Sequence, residues 1–111
     1  MNRLNSASQA FTEDDFADGF LGKYLLVGIT RLSSSGEVLS QQQLHGVIVR
    51  ANAEEVELEL CGIHAGKTFR MPPIFDEFAP AKRGIYELKT TDEFVEDPDF
   101  VFTVVLNKVL H

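Results

Sequence analysis

Residues 55–60 alternate strictly between glutamate and an aliphatic side chain, in the order Glu-Val-Glu-Leu-Glu-Leu. Successive side chains of a β-strand point to opposite faces of the sheet, so this period of two predicts a strand with Val56, Leu58 and Leu60 buried. Turn-forming residues separate further stretches rich in aliphatic, β-branched and aromatic residues, at 23–32, 37–50, 67–71, 85–89 and 100–109. The chain is therefore predicted to be mainly β.

The second of these strands, residues 37–50, is long and contains Gly46 in its interior. A glycine inside a long strand often marks a bend or bulge, where one strand passes between two sheets. This pattern favours a small SH3-like or Sm-like barrel of five or six strands, since such a barrel buries one face and leaves few strand edges exposed. An OB-like barrel or a small open sandwich is the alternative.

A short helix is predicted ahead of the strands. Thr12 can cap its first turn, the acidic residues that follow suit the helix dipole, and Gly19 ends it. Phe16 and Phe20 lie four residues apart, so they share one face of the helix and would attach it to the body of the protein.

The length of 111 residues suits one domain and does not suit two. We expect residues 1–20 to form a loose N-terminus with the short helix, and residues 21–111 to form a single β-barrel domain. The last strand, residues 100–109, is apolar on both sides of its alternation. It is therefore expected to be covered on both faces, by the N-terminal helix or by a second chain.

The net charge of −7 is concentrated in two segments. Residues 1–20 carry a net charge of −3 and residues 92–99 carry −5, which leaves the rest of the chain nearly neutral. Binding to a phosphate backbone needs a cationic face, so nucleic-acid binding is not expected. No apolar run is long enough to span a bilayer, and the single cysteine cannot form an intramolecular disulfide. With a polar N-terminus, these features favour a cytoplasmic protein.

Seven short pieces of the sequence together resemble a group of small, uncharacterised bacterial proteins. They are GKYLLVGIT at 22–30, GEV at 36–38, Gly46, MPP at 71–73, PA at 80–81, GIYEL at 84–88 and DPDF at 97–100. The resemblance covers about four-fifths of the chain, and the pieces mark turns and strands. It implies a small SH3-like or Sm-like barrel. It implies no activity, so no functional residue is carried over.

Cys61, His64 and His45 are the residue types of a nucleophile–base pair or of a zinc site. If residues 50 and 55 face each other across the turn, His45 faces Leu60 on the aliphatic side and Cys61 lies on the other side. The sequence lacks a second ligand pair for zinc, and the acidic run lacks the spacing and glycine of an EF-hand loop. No metal and no cofactor is therefore predicted.

The chain has no GxSxG motif and no glycine-rich loop before a helix, so it is not predicted to be an enzyme. Small barrels often bind peptides in aromatic grooves, and tyrosines suit such surfaces because their tips are polar. We expect a protein-interaction module, a monomer or weak homodimer, that binds a basic partner through an acidic rim. Its candidate binding residues are Tyr24, Tyr86, Asp92, Glu93, Glu96, Asp97 and Asp99. The alternative is an accessory protein that binds a small molecule or a metal in the barrel mouth near His45.

Overall fold

The computed structural model describes residues 13–107. In this part of the chain one short helix, α1 (Glu13–Asp18), precedes eight strands. The strands are β1 (Tyr24–Leu32), β2 (Val38–Ala51), β3 (Val56–Leu60), β4 (Thr68–Met71), β5 (Ala79–Pro80), β6 (Ile85–Leu88), β7 (Glu93–Glu96) and β8 (Phe100–Asn107). Short 3-10 turns occupy Gly62–His64 and Phe75–Glu77.

The helix lies where the sequence predicts it, although its expected cap, Thr12, falls outside the described residues. Ala17 of α1 is fully buried in the core. Phe20, just beyond the helix, stacks on Phe75 with ring centroids 4.7 Å apart and also contacts Phe78 and Phe100. The end of the helix is therefore attached to the body through an aromatic cluster.

Six of the strands form one sheet in the order β4-β3-β2-β1-β8-β5, and β6 and β7 form a separate hairpin. Strands β1 and β8 run parallel, and every other pair in the two sheets is antiparallel. The prediction of a mainly β fold is confirmed. Within residues 13–107, however, the strands number eight in two sheets, and these do not close into a barrel.

The two faces of the large sheet bury different sets of residues. One face carries the main core, in which Leu25, Val27, Val56 and Leu58 are fully buried. On the other face, Leu26 packs against Leu88 and Val95 of the hairpin, with Tyr24, Tyr86 and Val101 around them. The hairpin thus covers part of the second face, and residues 25–27 of β1 are buried because they lie between the main core and the hairpin.

The β-bulge of β2 lies at Val49 and not at Gly46. Ile48 pairs with Leu58 while Arg50 pairs with Glu57, which leaves Val49 as the extra residue. Gly46 pairs with Leu60 and serves a different purpose: a Cβ there would overlap the backbone carbonyl of Glu59. The glycine is therefore needed for the close approach of β2 to β3.

The expectation that the N-terminal helix covers the last strand is wrong for its second half, while coverage by a second chain stays a prediction. Phe102 is buried, but Val105 and Leu106 are 59% and 44% exposed. The reason is that α1 and the aromatic cluster reach only the beginning of β8. Within the described residues, no helix has the length and apolar character needed to cross a membrane.

Candidate functional site

His45 lies on the face of the large sheet that the hairpin covers, and not on the aliphatic face where the sequence register placed it. The bulge at Val49 shifts the pairing, so Gly46 and not His45 faces Leu60. The amide of Cys61 donates to the carbonyl oxygen of His45 at 2.8 Å. His45 and Cys61 are therefore direct neighbours across β2 and the end of β3, which corrects the prediction that they lie on opposite sides.

The His45 ring joins a buried polar chain between the two sheets. The Tyr24 hydroxyl lies 2.7 Å from Nδ1, and Oε1 of Glu93 lies 3.3 Å from Nε2. The other Glu93 oxygen, Oε2, accepts a hydrogen bond of 2.9 Å from the Ile63 amide. A carboxylate facing Nε2 favours the tautomer with its proton there, which leaves Nδ1 to accept from the Tyr24 hydroxyl.

Burial and the neighbouring groups shift the pKa values of Glu93 and Tyr24. Burial alone would raise the pKa of Glu93, but the Thr91 hydroxyl, the Ile63 amide and His45 stabilise the carboxylate and hold its pKa below 4.5. For Tyr24, burial and then the nearby Cys61 and Glu93 raise the pKa above 10.0. The folded protein therefore favours an ionised Glu93 beside a neutral Tyr24.

Gly62 packs against the polar side chains of Glu93 and His45. Its φ is +71°, and a Cβ at this position would overlap the Glu93 carboxylate and lie 2.7 Å from Nε2 of His45. Since not even a methyl group fits there, a substrate or ligand has no access to the imidazole from this side. Among residues 13–107, no group of three or more His, Cys, Asp or Glu side chains is placed to hold a metal ion. Tyr24, His45, Gly62 and Glu93 therefore join the large sheet to the hairpin, and we call these four residues the clasp.

Three of the five predicted acidic binding residues hold backbone amides. Glu93 accepts from Ile63, as described above, and Oδ1 of Asp97 accepts from the Gly84 amide at 2.7 Å. Oδ2 of Asp99 accepts from the Tyr24 amide at 2.8 Å, which ties the start of β1 to the start of β8. These three carboxylates therefore stabilise the fold by accepting hydrogen bonds from backbone amides.

The other two acidic residues, Asp92 and Glu96, are exposed. Asp92 sits in the turn between β6 and β7 with a φ of +60°, and its amide donates to the carbonyl of Leu88. Glu96 lies directly opposite Ile85 at the other end of the hairpin. The two predicted tyrosines do not accompany them, because Tyr24 packs beneath the hairpin and Tyr86 lies on the inner side of the hairpin.

The outer face of the β6–β7 hairpin was missed by the sequence reasoning. It consists of Ile85, Glu87, Phe94 and Glu96, all exposed, and we call it the hairpin face. Ile85 is 68% exposed and Phe94 is 69% exposed, although both are large apolar residues. Phe94 is hard to find in the sequence because acidic residues surround it and Glu93–Glu96 shows no period of two.

No protein-family model, no curated protein and no solved structure matches this chain.

Proposed function

We propose that the protein is a non-enzymatic protein-interaction module that binds a basic, partly apolar segment of another protein on the hairpin face. The observation that carries this proposal is the exposure of Phe94 and Ile85 beside two carboxylates. Exposed apolar groups rimmed by charged residues are typical of interaction sites. The hairpin face therefore combines exposed apolar side chains with acidic ones.

The register of the hairpin arranges these groups in a regular pattern. Ile85 faces Glu96 and Glu87 faces Phe94, so each apolar side chain has a carboxylate directly across the two strands. Side chains directly opposite in an antiparallel pair lie about 5 Å apart. A segment that alternates arginine or lysine with aliphatic residues would match this spacing, and a guanidinium could also stack on the Phe94 ring.

The hairpin face has little part in holding the fold together. Leu88 and Val95, on the inner side of the hairpin, are each only 1% exposed and attach it to Leu26 of the large sheet. Phe94 and Ile85 point away from this contact because side chains alternate along each strand. The exposed apolar area is therefore not explained by folding, which supports a role in binding.

Fluorescence anisotropy with defined peptides tests the proposal. A peptide alternating arginine and leucine should bind, and it should bind more weakly at high salt because exposed charges are screened. A glutamate–leucine peptide and an arginine–glycine peptide should not bind. Phe94→Ala and Glu96→Lys should each weaken binding about tenfold or more, as expected of a central contact.

The matched control is Glu54→Lys, which makes the same charge change in the exposed turn between β2 and β3. Equal binding by wild type and Phe94→Ala, or equal loss in Glu54→Lys and Glu96→Lys, would contradict the proposal. Thermal unfolding of each variant shows whether the fold has been kept.

Membership in the group of small bacterial proteins, and an SH3-like or Sm-like origin of the fold, also remain proposals. The support is a six-stranded sheet with a long second strand that carries a bulge. An experimental structure that aligns β1 to β4 and β8 with a small barrel would support them, and one with a different strand order would contradict them.

A further inference from the structure

A second surface feature lies on the main-core face of the large sheet, away from the hairpin. Here β4 and the Pro72–Ile74 segment stand across from β1 and β8 and enclose an open groove of about 340 Å³. It is lined by Val27, Ile29, Arg31, Phe69, Arg70, Met71, Pro72, Ile74, Phe102, Val104 and Leu106. The sheet does not close at this point, because β8 pairs with β5 only at Phe100 and Val101 within the described residues.

The groove is apolar except for two arginines, and only one of these faces it. Arg70 alternates with Phe69 and Met71, so its side chain is on the opposite face of β4, near Glu55 and Glu57. Arg31 alternates with Val27 and Ile29 and therefore shares their face. Its Nη1 donates to Oε1 of Gln42 at 3.3 Å, and among residues 13–107 no carboxylate lies within ion-pair distance of it.

The groove walls are incompletely buried. Leu106 is 44% exposed and Ile74 is 37% exposed, while Phe69 and Val104 are half-buried. Water therefore contacts part of the apolar lining, next to a guanidinium that has no carboxylate partner among residues 13–107. Pockets of roughly this size, apolar with a few polar groups that fix orientation, are the usual form of small-molecule sites, which run from about 300 to 1,000 Å³.

We propose that this groove binds an anionic single-chain amphiphile, with its alkyl chain on the apolar floor and its carboxylate on the Arg31 guanidinium. Arginine binds carboxylates through two parallel N–H···O bonds, so the planar head group fits it better than a neutral or cationic one does. Arg31 lies at one end of the groove, opposite Leu106 in the β1–β8 register. The head group is thus held at the rim while the chain runs towards Val27 and Phe102.

The net negative charge of the protein works against the binding of anions. The protein carries a net charge of −7, so non-specific adsorption would favour a cationic amphiphile over an anionic one. Preference for the anion can arise only from a local cation. The probes are therefore hexanoate, octanoate and decanoate, with the matching alkyl ammonium salts as controls, all kept below micelle-forming concentrations.

Isothermal titration calorimetry on the full chain should show binding of the carboxylates and not of the ammonium salts. Affinity should rise about fourfold per added methylene until the groove is full, as expected for burial of a CH₂ group. Arg31→Gln should weaken decanoate binding about tenfold or more, because a charge-assisted hydrogen bond is lost. Leu106→Glu should also abolish it, since the new carboxylate would sit opposite Arg31 and occupy it.

Arg83→Gln is the matched control, because Arg83 is the same residue type, is 91% exposed and pairs with Asp97 on the hairpin. Equal affinity for carboxylate and ammonium, or equal weakening by Arg31→Gln and Arg83→Gln, would overturn the proposal. So would binding that needs micelles, or a groove that takes a peptide or a second copy of the chain and excludes decanoate. Thermal unfolding shows that each variant is folded.

Discussion

Nε2 of His45 lies 3.3 Å from Oε1 of Glu93, and this contact joins the large sheet to the hairpin. Gly62 packs against both side chains, and the Tyr24 hydroxyl occupies the other ring nitrogen. The clasp thereby holds the β6–β7 hairpin, which carries the hairpin face, in place on the large sheet. Binding surfaces placed on rigid elements are better defined than those on loops.

Acid should weaken the clasp and thereby lower the free energy of unfolding. The folded state holds the pKa of Glu93 below 4.5, so this carboxylate contributes stability above its unfolded pKa and loses it as pH falls through its folded pKa. Urea unfolding between pH 7 and acid should show this loss in wild type. Glu93→Gln should remove that part of the pH dependence, whereas Glu96→Gln, on the exposed hairpin face, should not.

The Tyr24 hydroxyl should lose its proton at a higher pH than an ordinary tyrosine. Burial, Cys61 and Glu93 raise its pKa above 10.0, so the neutral phenol is favoured in the folded state and its stabilising contribution is lost as pH rises through the folded pKa. The protein has two tyrosines, so ultraviolet absorbance in a Tyr86→Phe variant reports Tyr24 alone. A pKa at or below 10.0 in the folded variant would contradict the burial of this hydroxyl beside Cys61 and Glu93.

Two glycines with positive φ should respond differently to alanine. Gly36→Ala, at a φ of +93° with open space around it, should cost about 1 kcal/mol of backbone strain. Gly62→Ala should cost more, because the added methyl group also overlaps the Glu93 carboxylate and crowds His45. Equal free energies of unfolding for the two variants would show that the clasp can move aside at no cost.

The alternating strand β3 gives a direct measure of the core. Leu58 is fully buried, so Leu58→Ala should lower the free energy of unfolding by about 2–5 kcal/mol. Glu59 points outwards and is exposed, so Glu59→Ala should cost about 0.5 kcal/mol or less. Glu57 is a poorer control than its alternation suggests, since its side chain is only 14% exposed and its Oε1 lies 3.4 Å from Nε of Arg50.

Local patterns were enough to predict α1, β1, β2, β3, β4, β6 and β8. Each of these elements is marked by a hydrophobic period or a turn residue that can be recognised from a few neighbouring residues. The bulge at Val49 could not be predicted in this way, because it depends on how β2 meets β3 and no local residue marks it. That one extra residue reverses the face assigned to His45, so the clasp was missed as well.

Strand β7 was missed for a different reason. Its four residues carry glutamate at both ends, which looks like a solvated acidic run, yet Glu93 and Val95 face inwards while Phe94 and Glu96 face outwards. The inward glutamate is stabilised by partners that are distant in sequence, the Ile63 amide and His45. Tertiary contacts therefore overrode the local pattern.

Chemical-shift mapping by NMR tests the central claim most directly. An unlabelled peptide alternating arginine and leucine is titrated into ¹⁵N-labelled protein. The largest amide shifts should fall on Ile85, Glu87, Phe94 and Glu96, and they should be lost in Phe94→Ala while the rest of the spectrum stays unchanged. Shifts that are absent, or that centre on a surface other than the hairpin face, would contradict the claim that this face binds a basic protein segment.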